Sequence, residues 1–309
     1  MVGLTDMLNI RSLARKVLTA VRSRLKKAGV TLPLSRNERV LFGCSLQGVG
    51  LEIGASYSPV APKKSGYCVE ILDHADAPSL RAKYQGHNVD IGNIEEVDYV
   101  WSGEPLDVLT KKKDYYDWIV ASHVIEHTPD LVSFLRQCET MLKPDGVLCL
   151  AVPDHRYCFD IFRPASTPGD VIQAYVEKRC RHSAGTVWDH FSLIVKKAGR
   201  VSWSKGFQGE YRFIHEDTDD ACNQLSRAQS EGEYIDVHNW RFTPSSFRLI
   251  TNDIAALGYT SLSVVDFFET EGCEFITHLK KCQERPGFDN KRRMNLAKEM
   301  LNEARDFSG

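Results

Sequence analysis

Between residues 48 and 153 the chain alternates short apolar runs with helical patterns, and this alternation constrains its fold more than any other feature. Strands that alternate with helices form right-handed βαβ units around a mostly parallel sheet. Two more apolar runs follow near the C-terminus, so we predict an α/β fold with a mostly parallel, seven-stranded sheet. The predicted strands cover residues 50–54, 67–73, 97–101, 118–122, 147–153, 261–268 and 274–279.

The segments outside this alternation divide the chain into three parts. Residues 1–36 contain a basic amphipathic helix, because seven basic and no acidic residues lie between Arg11 and Lys27. Residues 37–281 form one α/β domain, whose strands are interrupted by a cap of helical segments at 155–240. Residues 282–309 are predicted to contain a charged helix.

Capping residues mark two helices of the α/β domain. Thr128 is placed to cap a helix with Pro129 as its first residue, and apolar residues then recur at helical spacing over 131–142. Thr243 and Pro244 are predicted to begin a second helix in the same way.

The basic N-terminal helix has two interpretations. In the first, which we favour, its apolar stripe packs on the domain and its basic face is solvated. In the second, it lies on an anionic membrane surface or binds a partner. One basic helix alone gives weak membrane binding. We therefore predict a cytoplasmic protein, with peripheral membrane association as the alternative, and the sequence leaves the oligomeric state open.

Composition excludes several classes of protein. The 309 residues include 39 Lys and Arg against 41 Asp and Glu, which gives a formal charge of −2. Nucleic-acid binding depends on clustered basic charge, so we expect no nucleic-acid partner. No apolar run approaches the roughly 18 residues of a membrane-spanning helix. The nine cysteines form no C-x-x-C pair, which is typical of reduced cytosolic thiols and not of a Cys-based zinc site.

A turn of small residues follows the first predicted strand. Gly48, Gly50 and Gly54 lack the spacing of G-x-G-x-x-G, so NAD binding is disfavoured. Gly54 instead begins the sequence Gly-Ala-Ser, where backbone can approach a ligand closely. Asp73 ends the next strand, where an acidic residue can accept hydrogen bonds from both hydroxyls of a ribose. Taken alone, Asp73 is better explained as an ordinary turn residue, and the neighbouring motifs favour the ribose.

Four segments together resemble the class I methyltransferases that depend on S-adenosyl-L-methionine (SAM), which have a Rossmann-like α/β fold. They are the E-x-G turn at Glu52, the acidic end of the second strand at Asp73, the segment 116–127 (YDWIVASHVIEH) and the segment 142–148 (LKPDGVL). One departure concerns the family's E-x-G-x-G-x-G turn, which here is EIGASYS, with larger side chains at two glycine positions. The segment 152–160 resembles a subgroup found near, or fused to, glycosyltransferases of polysaccharide synthesis. This resemblance implies a glycosyltransferase as a partner of the N-terminal helix.

The resemblance implies that SAM is the cofactor and that it binds at the carboxyl ends of the strands. Its implied contacts are Glu52, Gly54 and Ala55 at the methionine side, Asp73 at the ribose hydroxyls, Gly103 and Glu104 near the adenine, and Ser122 and His123 beside the sulfonium.

The sequence from His123 to His127 also matches the zinc-protease signature H-x-x-E-H. That signature needs both histidines on one face of a helix. Here His123 ends an apolar strand, and the next helix begins only after His127. We therefore predict no metal site.

The cap is predicted to hold the acceptor, because ligands of open α/β sheets bind beyond the carboxyl ends of the strands. A hydroxyl acceptor needs a base, and histidine suits this role near neutral pH. Two arginines are candidates to bind an anionic group of the acceptor, although Asp160 would equally pair with them. The candidate bases are, in order, His155, His238, His127 and Asp154; the candidate anion-binding residues are Arg156 and Arg163.

These observations predict a SAM-dependent methyltransferase that methylates an oxygen of a sugar, a glycan-like molecule or another small molecule. The alternatives are N- or C-methylation of a small metabolite, and a catalytically silent scaffold in a biosynthetic assembly. A nucleic-acid methyltransferase is disfavoured because the cap has no Asn-Pro-Pro-Tyr-type motif for base flipping.

Overall fold

The computed structural model describes residues 33–230 and 233–305, in which nine strands are present. Seven of them form the central sheet, and two form a small separate ribbon in the cap. The strands are β1 (Gly50–Ile53), β2 (Val69–Asp73), β3 (Tyr99–Val100), β4 (Tyr116–Ser122), β5 (Leu142–Pro153), β6 (Val195–Lys197), β7 (Tyr211–Phe213), β8 (Leu262–Glu271) and β9 (Glu274–Lys281).

The central sheet has the strand order β3-β2-β1-β4-β5-β9-β8. The first five of these strands are parallel to one another, while β9 runs antiparallel to both β5 and β8. This confirms the predicted α/β fold with a mostly parallel sheet of seven strands. The strand order reverses between β1 and β4, and such a switch point opens a crevice at the carboxyl ends of the strands.

The predicted start of β5 differs most from the structure. β5 starts at Leu142, so the segment 143–146 belongs to the strand. A register shift in β4 between Tyr116 and Trp118 lets Tyr116 pair with Leu142 before the regular ladder begins. Trp118 then pairs with Val147, so the additional residues between Leu142 and Val147 bulge out of the ladder.

Nine helices pack around the sheet and in the cap within the described ranges. They are α1 (Arg36–Val40), α2 (Ala77–Tyr84), α3 (Leu106–Thr110), α4 (Leu131–Met141), α5 (Pro168–Val176), α6 (Ala184–Leu193), α7 (Asp219–Gln229), α8 (Pro244–Ala256) and α9 (Asn290–Arg305).

The structure corrects the predicted capping residue of α4 and confirms that of α8. Asp130 caps α4 through a hydrogen bond from the Ser133 N–H at 2.9 Å, so the prediction of Thr128 as the cap was wrong. A carboxylate is at least as good a cap as a threonine hydroxyl, and it lies nearer the apolar stripe of the helix. Thr243 caps α8 with Pro244 in its first turn, as predicted.

The main core lies between the sheet and the helices α4 and α8. A second apolar cluster covers the other face, where Val40 of α1 packs near Trp118 and Cys149. Gly50 is required here, because a Cβ atom at this position would lie 2.1 Å from the Trp118 ring. The core therefore holds β1 and β4 rigidly at the point where their carboxyl ends open.

The cap segment, 155–240, contains α5, α6, α7 and the antiparallel ribbon of β6 and β7, which the sequence analysis did not predict. The basic N-terminal helix lies outside the described residues. Among the described helices, none combines the length and the apolar character needed to cross a membrane. The C-terminal charged helix is α9, and it packs against α8, where Arg293 pairs with Asp253 at 2.8 Å.

Candidate active site

Glu52 organises the loop that follows β1. Its buried carboxylate accepts hydrogen bonds from the backbone N–H groups of Val60 at 2.6 Å and Ala61 at 2.9 Å. Burial raises the pKa of Glu52 to about 7, against the lowering effect of those two hydrogen bonds. Both carboxylate oxygens are therefore engaged by the loop, and Glu52 shapes the predicted cofactor site through the backbone.

The turn after β1 brings the ends of three strands together. Gly54 has a φ of +70°, and a Cβ atom there would lie 2.7 Å from the Val124 side chain, just beyond β4. Ala55 is buried. The Ser56 N–H donates to Asp73 at the end of β2, over 2.9 Å. The close approach of the Gly54 backbone to Val124 leaves no room for a side chain, which explains the small residue in this predicted turn.

Asp73 is buried at the carboxyl end of β2. One of its oxygens accepts from Ser56, and the other lies 2.8 Å from the backbone N–H and 2.7 Å from the Nδ1 of His74. A carboxylate offers about four lone-pair sites, so these contacts leave room for a further donor. The Ser56 hydroxyl is also buried, and no described residue forms a hydrogen bond with it.

The residues predicted near the adenine lie after β3. Gly103 has a φ of +114°, and no atom lies within 4 Å of the position of its absent Cβ. Glu104 accepts hydrogen bonds from the N–H and hydroxyl of Ser102 at 3.0 and 2.9 Å. This turn is open to solvent, which leaves space for a planar group beside it.

The end of β4 is tied to the edge of β9. The Ser122 hydroxyl accepts from Arg36 at 2.8 Å, and the same guanidinium pairs with Glu274 at 2.6 Å. The His123 Nε2 lies 2.8 Å from Glu274, and His123 adopts a φ of +54°. Burial opposes the charged form of His123, but Glu274 and Glu126 outweigh it and raise the pKa of the imidazole.

Arg36 and Glu274 were missed in the sequence analysis. Burial by itself would raise the pKa of Glu274, but the hydrogen bonds from His123 and Arg36 lower it to about 2. Neither residue belongs to a recognisable motif, and they meet only because α1 packs beside β9.

Two of the predicted base candidates follow β5. His155 is buried, and burial lowers its pKa to about 4. Asp154 is fully buried and accepts from Arg156 through both oxygens, at 2.9 and 2.6 Å. The predicted partner of both arginines was Asp160, and for Arg156 this was wrong, because Asp154, two residues away, binds its guanidinium through both oxygens.

The other predicted arginine is also paired. Arg163 donates to Asp160 at 2.7 Å and to the carbonyl oxygen of His238 at 2.9 Å, deep inside the cap. Asp160 also contacts the Nδ1 of His238. Burial alone would raise the pKa of Asp160, but His238 and Arg163 hold it well below its ordinary value.

The cap places His238 against the loop after β4. The His127 and His238 ring centroids are 4.6 Å apart, and the Nδ1 of His127 lies 2.8 Å from Asp236. The backbone N–H groups of Asn239 and Trp240 donate to the carbonyl oxygen of Glu126 at 2.7 and 3.1 Å. Two candidate bases that are distant in sequence therefore share one cluster, and Asp236 is a member that the sequence analysis missed.

Comparison with known proteins agrees with this architecture. A family model described as a methyltransferase domain matches residues 38–198, more than half of the chain. The chain belongs to the methyltransferase family. Membership implies SAM as the methyl donor.

Two related sequences match part of this chain and part of their own length. The ubiquinone biosynthesis O-methyltransferase of Bradyrhizobium diazoefficiens is 30% identical over 120 residues, which are 37% of this chain and 39% of that protein. A protein of the same name from Histophilus somni is 32% identical over 92 residues, 28% of this chain and 37% of its own length. The chain thus spans less than half the length of either relative.

Solved structures include a methyltransferase from Streptomyces caelestis, CcbJ. It is 14% identical, with a TM-score of 0.39, over 80% of this chain and 94% of that chain.

The residues at the carboxyl ends of β1, β2 and β4 fit SAM. Asp73 retains acceptor capacity for ribose hydroxyls, and the buried Ser56 hydroxyl has a hydrogen bond to offer. The approach of Gly54 to Val124 leaves backbone at the surface of the crevice. The individual cofactor contacts, including those of Ser122 and His123, stay predictions.

Proposed function

We propose that this protein transfers a methyl group from SAM to an oxygen atom of a small hydroxylated acceptor, of the sugar or glycan class or another small molecule, held between the sheet and the cap. The observation that carries this proposal is the pair of histidines, His127 and His238, each next to a carboxylate, beside the loop that follows β4. The two relatives named as O-methyltransferases support oxygen as the acceptor atom.

When bound, SAM supplies a methyl group on an electrophilic sulfonium. The chain contributes position and exclusion of water, which account for much of the acceleration of such a displacement. Asp73 holds the ribose hydroxyls, Gly54 lets the backbone approach the methionine side, and the cap covers the acceptor.

His127 is the strongest of the four predicted base candidates. Its Nδ1 contacts Asp236, which leaves Nε2 for the proton of an acceptor hydroxyl. Burial lowers the pKa of His127, but Asp236 and Glu126 outweigh this and raise it above its ordinary value. A higher pKa makes the neutral imidazole a stronger proton acceptor, which suits general base catalysis.

The other candidates rank lower for physical reasons. His238 is oriented by Asp160 in the same way, and it is more deeply buried. With its pKa lowered to about 4, His155 is a weak base. Asp154 is already paired with Arg156.

Calorimetric titration with S-adenosylhomocysteine tests the cofactor, with NAD as the control ligand. We expect micromolar binding of the former and none of the latter. A folded protein that binds neither would overturn the proposal and support the silent scaffold.

Transfer of a labelled methyl group from SAM to a panel of acceptors then tests the reaction. The panel contains sugars and other small hydroxylated molecules, with amines of matched size as controls. Product labelled on nitrogen or carbon would replace O-methylation by one of the alternative reactions. Association with a membrane or a glycosyltransferase stays a prediction, since the helix involved lies outside the described residues.

A further inference from the structure

Glu126 is a fully buried carboxylate with an unusual environment. Neither of its oxygens forms a hydrogen bond with any residue in the ranges 33–230 and 233–305. Its nearest cationic candidates are the Nδ1 of His123 at 3.7 Å and the Nε2 of His127 at 3.8 Å, both beyond hydrogen-bond distance. A buried carboxylate in this state is costly unless it is paired or coordinates a metal.

Two histidines present ring nitrogens to the same place. The Nδ1 of His127 contacts Asp236, and the Nδ1 of His238 contacts Asp160. Each ring is thereby oriented so that its Nε2 stays available. Metal-binding histidines are held in this way, with the second ring nitrogen on a carboxylate.

The three side chains converge closely. One ligand atom from each of Glu126, His127 and His238 lies within 4.8 Å of the other two. The hydrogen bonds from Asn239 and Trp240 to the Glu126 carbonyl fix the segment that carries His238 against the loop that carries Glu126. The cluster is thus held by backbone as well as by side chains.

We propose that Glu126, His127 and His238 bind a divalent transition-metal ion such as Zn²⁺ or Fe²⁺. Two imidazoles and one carboxylate form a three-residue ligand set that leaves coordination positions open for an exogenous oxygen ligand. The set differs from the H-x-x-E-H signature, because it uses Glu126 as a ligand, omits His123 and takes His238 from the cap.

The prediction of no metal considered the cysteines and the two histidines of that signature. The site proposed here is different because it includes His238 from the cap. With the ion bound, His127 is a ligand in place of a base. An ion held there would lower the pKa of an acceptor hydroxyl bound to it, so that the proton would pass to solvent more readily; this consequence rests on the proposed function.

Metal titration tests the site without SAM or acceptor. The full chain, purified without a histidine tag and freed of metal by a chelator, is titrated calorimetrically with Zn²⁺ and, without oxygen, with Fe²⁺. We expect one ion per chain, and a visible absorption band when Co²⁺ is used as the probe. Zn²⁺ should bind more tightly than Fe²⁺, as at other nitrogen and oxygen sites, and stoichiometric binding of either ion supports the site.

Matched variants assign the ligands. Glu126→Gln and His238→Gln should each weaken binding by at least about 100-fold, and Asp236→Asn, which disturbs only the orientation of His127, by about 10–100-fold. The control is His215→Gln, a cap histidine that pairs with Asp220 and lies outside the cluster. It should bind as the unchanged protein does.

Thermal unfolding provides a second measurement. The metal should raise the Tm of the unchanged protein, because an ion that binds only the folded state stabilises it. The Tm of Glu126→Gln should not change, because its site lacks one ligand. Without metal, the Tm of Glu126→Gln checks that the variant is folded, since the substitution removes a buried carboxylate beside His123 and His127. Absence of stoichiometric binding, or equal affinity in Glu126→Gln, would overturn the site even if methyl transfer is observed.

Discussion

The two sides of the crevice are built in different ways. On the cofactor side, carboxylates accept from backbone N–H groups, as Glu52 does from Val60 and Asp73 from Ser56. On the acceptor side, side chains contact side chains, as His127 does with Asp236 and His238 with Asp160. A site made from backbone tolerates substitution of neighbouring side chains, whereas a side-chain cluster loses its chemistry with one member.

Because of this difference, cofactor binding and the reaction can be tested separately. Changes on the cofactor side should reduce affinity for the cofactor and leave the acceptor cluster intact. Changes on the acceptor side should reduce turnover or metal binding while the affinity for S-adenosylhomocysteine stays constant.

The largest effect should come from the acceptor side. His127→Gln removes the proposed base or metal ligand, and we expect turnover to fall by about 10²–10⁴-fold. Calorimetry should show unchanged affinity for S-adenosylhomocysteine. The cap variant His215→Gln is the control, and retention of full turnover by His127→Gln would remove His127 from the chemistry.

The same turnover assay tests His155, which the sequence analysis placed first among the candidate bases. His155→Ala should lower turnover far less than His127→Gln, because the pKa of His155 is lowered to about 4 by burial. A loss of turnover as large as that of His127→Gln, in a variant with normal thermal stability, would restore His155 as the base.

The network of Arg36, His123 and Glu274 should make the stability of the fold depend on pH. The folded-state pKa of Glu274 is lowered to about 2 from an ordinary 4.5, so its stabilisation is present above pH 4.5 and is lost as the pH falls toward 2. The shift corresponds to a few kcal/mol. Denaturant unfolding between these pH values should show this slope, and Glu274→Gln should reduce it. An identical slope in the variant would assign the acid sensitivity to other groups.

On the cofactor side, Asp73→Ala should weaken binding of S-adenosylhomocysteine by about 10–150-fold. This corresponds to a charge-assisted hydrogen bond of roughly 1.5–3 kcal/mol. Calorimetry measures the change, and circular dichroism checks that the fold is retained. Unchanged affinity would remove the ribose assignment of Asp73.

The smallest effect is expected at Gly54. Gly54→Ala introduces a side chain at a φ of +70° and 2.7 Å from Val124, so we expect about a tenfold loss of affinity for S-adenosylhomocysteine. Gly43→Ala is the matched control, since Gly43 has a φ of +73° and nothing within 4 Å of its absent Cβ. If both variants bind equally well, contact with Val124 has no role in the site.

Several parts of the fold were predictable because their signals are local. Apolar runs identified the strands of the sheet, and Thr243 with Pro244 identified the start of α8. The order and direction of the strands were predictable in outline, since βαβ connections have one hand. The cap of α4 was predicted wrongly because Thr128 and Asp130 are both good capping residues, and only the path of the chain chooses between them.

The sequence by itself determined the α/β architecture, the small-residue turn at Gly54 and the acidic end of β2 at Asp73, since each depends on neighbours in the chain. Only the tertiary structure brought His238 to Glu126, Arg36 to Ser122 and Glu274 to His123. Such contacts join segments distant in sequence, and they depend on how the cap and α1 pack on the sheet. Packing also decided the pKa shifts of these groups, because burial disfavours the charged form of a group and an oppositely charged neighbour favours it.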